Sequence, residues 1–176
     1  MLHLAPEIIA LLLEHKEEQA KIKSALGAEW VERNNIVTAH NGDYYTRGAF
    51  RHLFNRFLKR HGLPHYRVHD TRHACASVMI NANIPAAAVA QILGHATPPK
   101  RKGKDLEFMD VSTVRAILAA VETETNTKLK VAVNLLLLLG LRSGELRGLL
   151  WSDIDIEKGL LYVRHSLAEV KGKRYD

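Results

Sequence analysis

Basic side chains are concentrated at predicted helix ends between Val68 and His95. This segment reads VHDTRHACASVMINANIPAAAVAQILGH, with His69 and Arg72 at the start of one predicted helix and His95 just after the end of the next. Free backbone N–H groups and the helix macrodipole favour anions at helix N-termini. The residue types and their positions therefore indicate a site for a negatively charged ligand.

A second candidate group is found at Arg142, which follows a long apolar run and Gly140. Burying a guanidinium without a partner is costly, and Glu145, three residues further on, is close enough to orient it. Two interpretations stay open here. The residues form a structural Arg–Glu pair, or Glu145 holds an arginine whose forked N–H donors point at a phosphate.

These two regions together would supply two bidentate anion-binding groups and two imidazoles that donate hydrogen bonds or move protons. Such a set suits a phosphoryl transition state, whose charge lies on its equatorial oxygens, without an obligatory metal. Each signal is weak alone, so the prediction depends on their joint occurrence. The four side chains are those of His69, Arg72, Arg142 and His95.

A metal site is the alternative use of the histidines, because four of them recur at every fourth position from His61 to His73. On one continuous helix they would share a face and could bind a divalent cation. Pro64 and the extended pattern of residues 66–68 break that helix, and metal sites need closed ligand geometry. We therefore predict no metal and no other cofactor.

The elements that must position these residues are mainly helices. Apolar residues recur at helical spacing, with a proline, a cap or a glycine near most of the boundaries. Asp70 or Thr71, Asp110 and Ser143 are the predicted N-caps. The predicted helices run from Pro6 into the low twenties, from Thr46 to Arg60, from about Asp70 to Asn83, from Pro85 to Gly94 with Val89, Ile92 and Leu93 facing inward, from Asp110 through Val121, from Lys128 to Leu139, and from Ser143 to Leu150.

Short strands are predicted in two places. The β-branched run 36–38, closed by Asn41-Gly42, indicates a strand and a turn, and residues 154–163 indicate two strands around a turn at Gly159. We therefore predict one mixed α/β domain over residues 1–176, mainly α-helical with a small antiparallel β-sheet.

Composition limits the class of partner and the compartment. The chain has 25 Lys and Arg against 19 Asp and Glu, a formal net charge of +6 and ten His. This balance favours nucleic acid or an anionic surface, although a merely basic protein is an equal alternative. The single cysteine, Cys75, indicates a reducing, cytoplasmic setting. The apolar run 131–139 is far shorter than the roughly 20 residues of a membrane helix, so we expect no membrane partner.

Two segments resemble a known family. GLRSGELRGLLWSDID resembles the first arginine box of the tyrosine recombinases of the phage-integrase type, and HDTRHACASVMINANIPAAAVAQILGH resembles their second box, with its His-x-x-Arg and Leu-Gly-His elements. The resemblance implies the DNA breaking-rejoining fold of the family's catalytic domain. It also implies recombination or integration of double-stranded DNA, by an integrase of a phage or mobile element that assembles as a tetramer on DNA.

The resemblance also implies roles for individual residues. Arg142 and Arg72 would bind the scissile phosphate, and Glu145 would support Arg142. His69 would be the histidine before the second arginine, and His95 the later residue that hydrogen-bonds the phosphate. In this family a tyrosine hydroxyl attacks the phosphate to give a 3′-phosphotyrosyl link, which a 5′-hydroxyl then reverses on another strand.

The order of the two boxes departs from the family, in which the Arg-Glu box precedes the His-x-x-Arg box. Residues 1–98 resemble the family's C-terminal half, and residues 99–176 resemble its N-terminal half. The chain therefore resembles a circular permutant with a junction near Pro98-Pro99, a change that folds tolerate at surface loops.

The family's nucleophile has no counterpart at the expected place. It should lie about nine residues after His95 by resemblance, and no tyrosine occurs between Tyr66 and Tyr162. We nominate no other tyrosine and expect a monomeric chain that binds the phosphate without cleaving it. Two alternatives are a non-catalytic DNA-binding module and a metal-dependent phosphoesterase.

The family's catalytic lysine lies in a β-hairpin between the boxes. Here that hairpin is expected to straddle the join between Asp176 and Met1. Lys171 and Lys173 lie near this position and are predicted to contact DNA, although the lysine itself has no assigned counterpart.

Overall fold

Helices form most of the described chain. The computed structural model of the protein describes residues 1–94, 109–170 and 173–175, with side chains described as far as residue 168. Short 3₁₀ turns lie at Gly27–Glu29 and Trp151–Asp153. The helices are α1 (Pro6–Leu26), α2 (Arg47–Arg60), α3 (Asp70–Asn81), α4 (Ala86–Ile92), α5 (Val111–Glu122), α6 (Thr127–Leu138) and α7 (Ser143–Gly148). The strands are β1 (Leu2–His3), β2 (Ile154–Asp155), β3 (Leu160–Leu161), β4 (Ala168–Val170) and β5 (Lys173–Tyr175).

Helix α6 is the centre of the packing. It is buried on nearly all sides and contacts α1, α3, α5 and α7, as expected for a helix that is apolar all round. The Asn126 side chain caps its start by accepting from the Leu129 N–H at 3.1 Å. Among the described residues, no helix is long and apolar enough to cross a membrane.

The end of α6 requires a glycine. Gly140 has φ +63°, and a Cβ placed there would lie 2.6 Å from Leu93 Cδ2 and 3.1 Å from Cys75 Sγ. Both the backbone conformation and the crowding therefore exclude a side chain. Cys75 is buried, and burial raises the pKa of its thiol to about 11.

The sheet joins the two ends of the sequence. Three strands pair antiparallel in the order β1-β3-β2, with Leu2 and Ile154 both opposite Leu161. Strands β4 and β5 form a separate antiparallel hairpin. The predicted class, mainly helical with a small antiparallel sheet, is confirmed.

The predicted strand at residues 36–38 is wrong. The structure has isolated bridges there, between Asn35 and Leu150 and between Thr38 and Tyr44. Ile36 and its neighbour Val37 are both fully buried, so this segment threads through the core instead of presenting one face to a sheet. The predicted turn is present, and Gly42 has φ +84°.

Most predicted helix ends are confirmed, and three details are corrected. Helix α7 already includes Ser143, because Arg142 takes the N-cap position. Helix α3 begins at Asp70, after His69, since the Asp70 carboxylate is held by Arg67 at 2.8 Å instead of capping the helix. Ile92 is 45% exposed, because it lies on the outer side of the short helix α4.

The predicted Asp110 cap of α5 is confirmed, and the start of α2 is capped by Thr46. Thr46 accepts from the Ala49 N–H at 3.1 Å, and Asp110 accepts from the Thr113 N–H at 2.7 Å. The apolar stripe of α2 is buried in the main core, which also contains residues from α1, α5 and α6. The α2 residues concerned are Phe50, Phe54, Phe57 and Leu58.

Candidate anion-binding site

Arg72 lies in the first turn of α3, at the end of α6. Only 4% of the residue is exposed, and its Nη1 donates to the carbonyl of Gly140. Within the described part of the chain, the buried Nε and Nη2 atoms have no hydrogen-bond partner. Burial, and then the nearby charge of Arg142, lower the pKa of the guanidinium. Two desolvated donors therefore remain available to an incoming acceptor.

Arg142 and Glu145 stand beside Arg72. The Arg142 backbone N–H and its Nη1 each donate to the Glu145 carboxylate at 2.7 Å. The same carboxylate has its Oε2 4.0 Å from Arg72 Nη1. One carboxylate thus lies between two guanidinium groups, which leaves an excess positive charge, and its hydrogen bonds orient Arg142. The Arg–Glu pair predicted from the sequence is present, and it also reaches the second arginine.

His69 is placed at the N-cap position of α3, one turn before Arg72. Its ring lies 5.0 Å from the His73 ring in an edge-to-face arrangement. Partial burial lowers the pKa of His69, as do the charges of His73, Arg72 and Arg67, while Asp70 acts in the opposite direction. The imidazole is therefore biased towards its neutral form, which can accept a proton.

A cavity of about 610 Å³ adjoins His69 and the start of α7. None of the described side chains that line it is acidic. Its walls include Arg47 and Arg51 of α2, Arg67 and His69 before α3, and Ser143 and Gly144 of α7. The cavity is therefore strongly basic, and it begins at the residues that directly follow Arg142.

Arg147 is a residue of the site that the sequence analysis did not single out. Its Nε, Nη1 and Nη2 atoms donate to the carbonyls of Ser143, Tyr45 and Leu167 at 3.2, 3.1 and 3.1 Å. The side chain is buried and connects α7 to the start of α2 and to the segment before β4. In the sequence, the feature that could have indicated this role is a charged residue inside the otherwise apolar run that starts at Leu146.

Gly144 allows that segment to approach α7 closely. A Cβ at this position would lie 2.7 Å from Ser166 Oγ and 2.9 Å from the Leu167 carbonyl oxygen. The Leu167 N–H in turn donates to the Gly144 carbonyl at 3.0 Å. The glycine in the Arg-Ser-Gly-Glu sequence therefore shapes one wall of the cavity.

Three predicted site residues lie wholly or partly outside the described part of the chain. His95 and Lys171 lie outside the described residues. Lys173 begins β5 opposite Val170, and its side chain is outside the described part. The hairpin of β4 and β5 forms entirely before Asp176, so a hairpin is present without the expected join to Met1.

The predicted separation of the histidines is seen for His61, which lies apart from His69 and His73, whereas those two rings are in contact. His61 follows α2 and lies 2.7 Å from a Glu124 carboxylate oxygen, whereas His69 contacts His73 on α3. Among the described residues, no three His, Cys, Asp or Glu side chains are grouped so that they could hold a metal ion.

Comparisons with known proteins give a consistent result. The model of the phage integrase family matches residues 7–99 and 107–175. A protein of Caldanaerobacter subterraneus subsp. tengcongensis named tyrosine recombinase XerC-like is 26% identical over 91 residues, which are 50% of this chain and 23% of that protein. An integrase of Saccharopolyspora erythraea is 25% identical over 91 residues, 52% of this chain and 21% of the relative.

The matches to these curated relatives thus span less than a quarter of the relatives' length. No solved structure matches the chain. The family model, by contrast, matches two ranges that together cover most of the sequence and that include both the Arg72 and the Arg142 motifs. The chain belongs to the phage integrase family.

Proposed function

We propose that this chain supplies the phosphate-binding centre of a tyrosine recombinase that acts on double-stranded DNA in site-specific recombination. The observation that carries the proposal is the meeting of Arg72 and Arg142 at Glu145, where two buried donors of Arg72 have no partner among the residues that the structure describes. A phosphodiester would satisfy these donors and neutralise the excess charge.

The geometry supports distinct roles for the four residues. Arg72 and Arg142 would bind the non-bridging oxygens of the scissile phosphate, where charge accumulates in the transition state. Glu145 would hold both guanidinium groups in place. His69, biased towards its neutral form, would exchange a proton with the reacting oxygens. His95 belongs to the same proposed set by resemblance alone.

Cleavage by this chain would require a nucleophile that its sequence does not supply in the expected place. In the family reaction the tyrosine oxygen forms a bond to phosphorus, the 5′-oxygen leaves as a hydroxyl, and the phosphotyrosyl link retains the phosphodiester energy. No tyrosine lies between Tyr66 and Tyr162. The proposed activity of the chain alone is therefore phosphate binding without strand transfer.

The reversed order of the motifs is explained by a permuted catalytic domain that spans residues 1–176. Packing supports this proposal, because α3 from the first half contacts α6 from the second, and β1 pairs with β3. The proposed fold is the family's DNA breaking-rejoining fold. A tetramer on DNA, with a monomer in its absence, is the proposed assembly.

A non-catalytic DNA-binding module is the second candidate function, and the basic cavity beside α2 favours it. Such a module would bind DNA through exposed charge, with strong salt dependence. Its affinity would not depend on the buried Arg72.

Orthovanadate, which adopts the geometry of a phosphoryl transition state, tests the proposal in a calorimetric titration. Arg72→Ala and Arg142→Ala should each weaken binding, whereas the exposed Arg56→Ala on α2 should not. Equal affinity in both site variants and the wild type would overturn the proposal. Incubation with a nicked suicide duplex should trap no covalent adduct, and a phosphotyrosine on any tyrosine would refute the assignment of the chain as non-cleaving.

A further inference from the structure

We propose that Leu93, directly after α4, is a positioning residue that fixes Arg72 through the carbonyl of Gly140. This inference deepens the proposed function and rests on it, because it gives an apolar side chain a part in binding the scissile phosphate. Leu93 acts through the backbone that Arg72 binds and does not contact the phosphate.

The Gly140 carbonyl is the first support, because it is the group that orients Arg72. Arg72 donates to it through Nη1, whereas Nε and Nη2 have no partner in the part of the chain that the structure describes. The Glu145 carboxylate has its Oε2 4.0 Å from the same Nη1, which is too far for a hydrogen bond. The direction of the two remaining donors therefore follows the position of this carbonyl.

The packing around Gly140 is the second support. A Cβ at this position would lie 2.6 Å from Leu93 Cδ2 and 3.1 Å from Cys75 Sγ, so these two side chains fill the space beside the Gly140 Cα atom. Cys75 lies one turn after Arg72 on the same helix, α3. Leu93 comes from a separate element, so its contact ties the end of α6 to the end of α4.

The third support is the small size of the cluster to which Leu93 belongs. Its buried members are Cys75, Val89 and Leu93, apart from the main core. Leu93 is 3% exposed, and its N–H donates to the Val89 carbonyl at 3.0 Å. Close-packed interiors transmit strain, and a gap left by a truncated side chain is partly closed by its neighbours. Gly140 lies against this cluster, so its carbonyl would move when Leu93 is shortened.

The test removes the atoms that pack on Gly140 and compares this change with a larger truncation in the same cluster. Leu93→Val removes both δ-carbons, whereas Leu93→Met keeps an atom at the δ position. The control Val89→Ala deletes a larger volume, and Val89 is not among the atoms nearest to Gly140. Each full-length variant is titrated with orthovanadate, and urea denaturation measures its free energy of unfolding.

Leu93→Val should weaken orthovanadate binding about tenfold, the lower end of the cost of removing a residue that holds a metal ligand in place from behind. Leu93→Met and Val89→Ala should each stay within about twofold of the wild type, although Val89→Ala loses more stability than Leu93→Val. Wild-type affinity in Leu93→Val would overturn the inference. Equal losses in Leu93→Val and Val89→Ala would also overturn it, because the effect would then come from general destabilisation.

A second measurement follows the guanidinium itself by NMR in the free protein. Arg72→Lys identifies the Nε–H signal of Arg72 by its disappearance. Leu93→Val should shift or broaden this signal and leave that of Arg147 unchanged, because the Arg147 guanidinium is held by three other carbonyls. An Arg72 signal that is the same in Leu93→Val and the wild type would contradict the inference.

Arg72→Ala separates a failure of this inference from a failure of the proposed function. If Arg72→Ala leaves orthovanadate binding intact, the proposed function fails, and the role of Leu93 fails with it. If Arg72→Ala loses orthovanadate while Leu93→Val binds it like the wild type, the inference alone fails.

Discussion

Arg147 and Arg72 are buried to nearly the same degree, with 3% and 4% of each residue exposed, yet their surroundings differ. Each nitrogen of the Arg147 guanidinium donates to a backbone carbonyl. The Arg72 guanidinium donates to the Gly140 carbonyl through Nη1, while Nε and Nη2 lack partners among the described residues.

On the proposed function, this difference separates a structural arginine from one that binds a ligand. Desolvating a charge costs free energy, and hydrogen bonds recover that cost only when all donors are used. Around Arg147 each nitrogen of the guanidinium makes a hydrogen bond in the free protein. On the proposed function, an anion would supply the missing acceptors around Arg72, so the free energy released on binding would include a desolvation cost already incurred in folding. Burial alone does not distinguish the two roles, whereas the count of satisfied donors does.

Arg147→Met should have the largest effect on stability. We expect the free energy of unfolding to fall by about 3–5 kcal/mol, because three hydrogen bonds from a charged donor are lost and each contributes about 1.5–3 kcal/mol before water replaces part of them. Urea denaturation followed by circular dichroism measures the change. A loss below about 1 kcal/mol would show that the contacts of Arg147 do not stabilise the fold.

Arg72→Met should weaken anion binding and leave the stability almost unchanged. Replacing an incompletely paired buried charge by an apolar side chain of similar length is often neutral or stabilising, so the free energy of unfolding should change by no more than about 1 kcal/mol. Orthovanadate affinity should fall about 100-fold, equivalent to about 3 kcal/mol. A large loss of stability with retained binding would mean that Arg72 is structural like Arg147.

Arg142→Gln should have a smaller effect on binding than Arg72→Met. The Arg142 side chain is 44% exposed, so water and salt screen its charge. We expect about a tenfold loss of orthovanadate affinity at low ionic strength, and a smaller loss at high salt. The loss caused by Arg72→Met should depend less on salt, and identical salt dependences would contradict the distinction between the two environments.

Local patterns in the sequence account for most of the fold. The spacing of apolar residues predicts α1, α2, α5 and α6, and the Asp110 cap is recognisable without tertiary information. Residues 36–38 form isolated bridges instead of the predicted strand, because β-branched residues favour any extended, buried segment, while a strand also needs a partner that pairs along its length. The exposure of Ile92 depends on how α4 packs, which its own short sequence does not determine.

In the candidate site, too, some residues are recognisable from local motifs and others only from the folded structure. The motifs predict Arg72, Arg142 and Glu145 as site residues. The structure places these three side chains close together, and their roles stay predictions. Arg147 lies in the same motif, but one of its acceptors is the carbonyl of Tyr45, 102 positions earlier. A carbonyl carries no residue-specific signal, so a side chain held by carbonyls far away in the sequence is not recognisable before the chain is folded.

The smallest expected effect concerns His69, whose charge, unlike that of an arginine, changes within the experimental pH range. Its pKa lies below the ordinary value of 6.5 because of partial burial and the positive neighbours His73, Arg72 and Arg67. In the free protein, the unfolded chain therefore binds this proton more readily, and the contribution of His69 to stability declines as the pH falls below 6.5.

An anion bound at Arg72 and Arg142 should raise the pKa of His69, because its negative charge offsets the positive neighbours that lower this pKa. Binding should therefore be accompanied by proton uptake at His69. Sulfate is a suitable probe because it stays fully ionised between pH 5 and 8. Its affinity should rise about two- to fivefold as the pH falls across the His69 titration, less than the tenfold that a whole pKa unit would give.

In His69→Gln this rise in sulfate affinity should disappear. It should persist in the control His61→Gln, because the ring of His61 contacts Glu124 instead. A pH dependence that survives in His69→Gln would show that another group takes up the proton. A flat wild-type curve would show that His69 is not part of the anion site, whose charge would then come from the arginines.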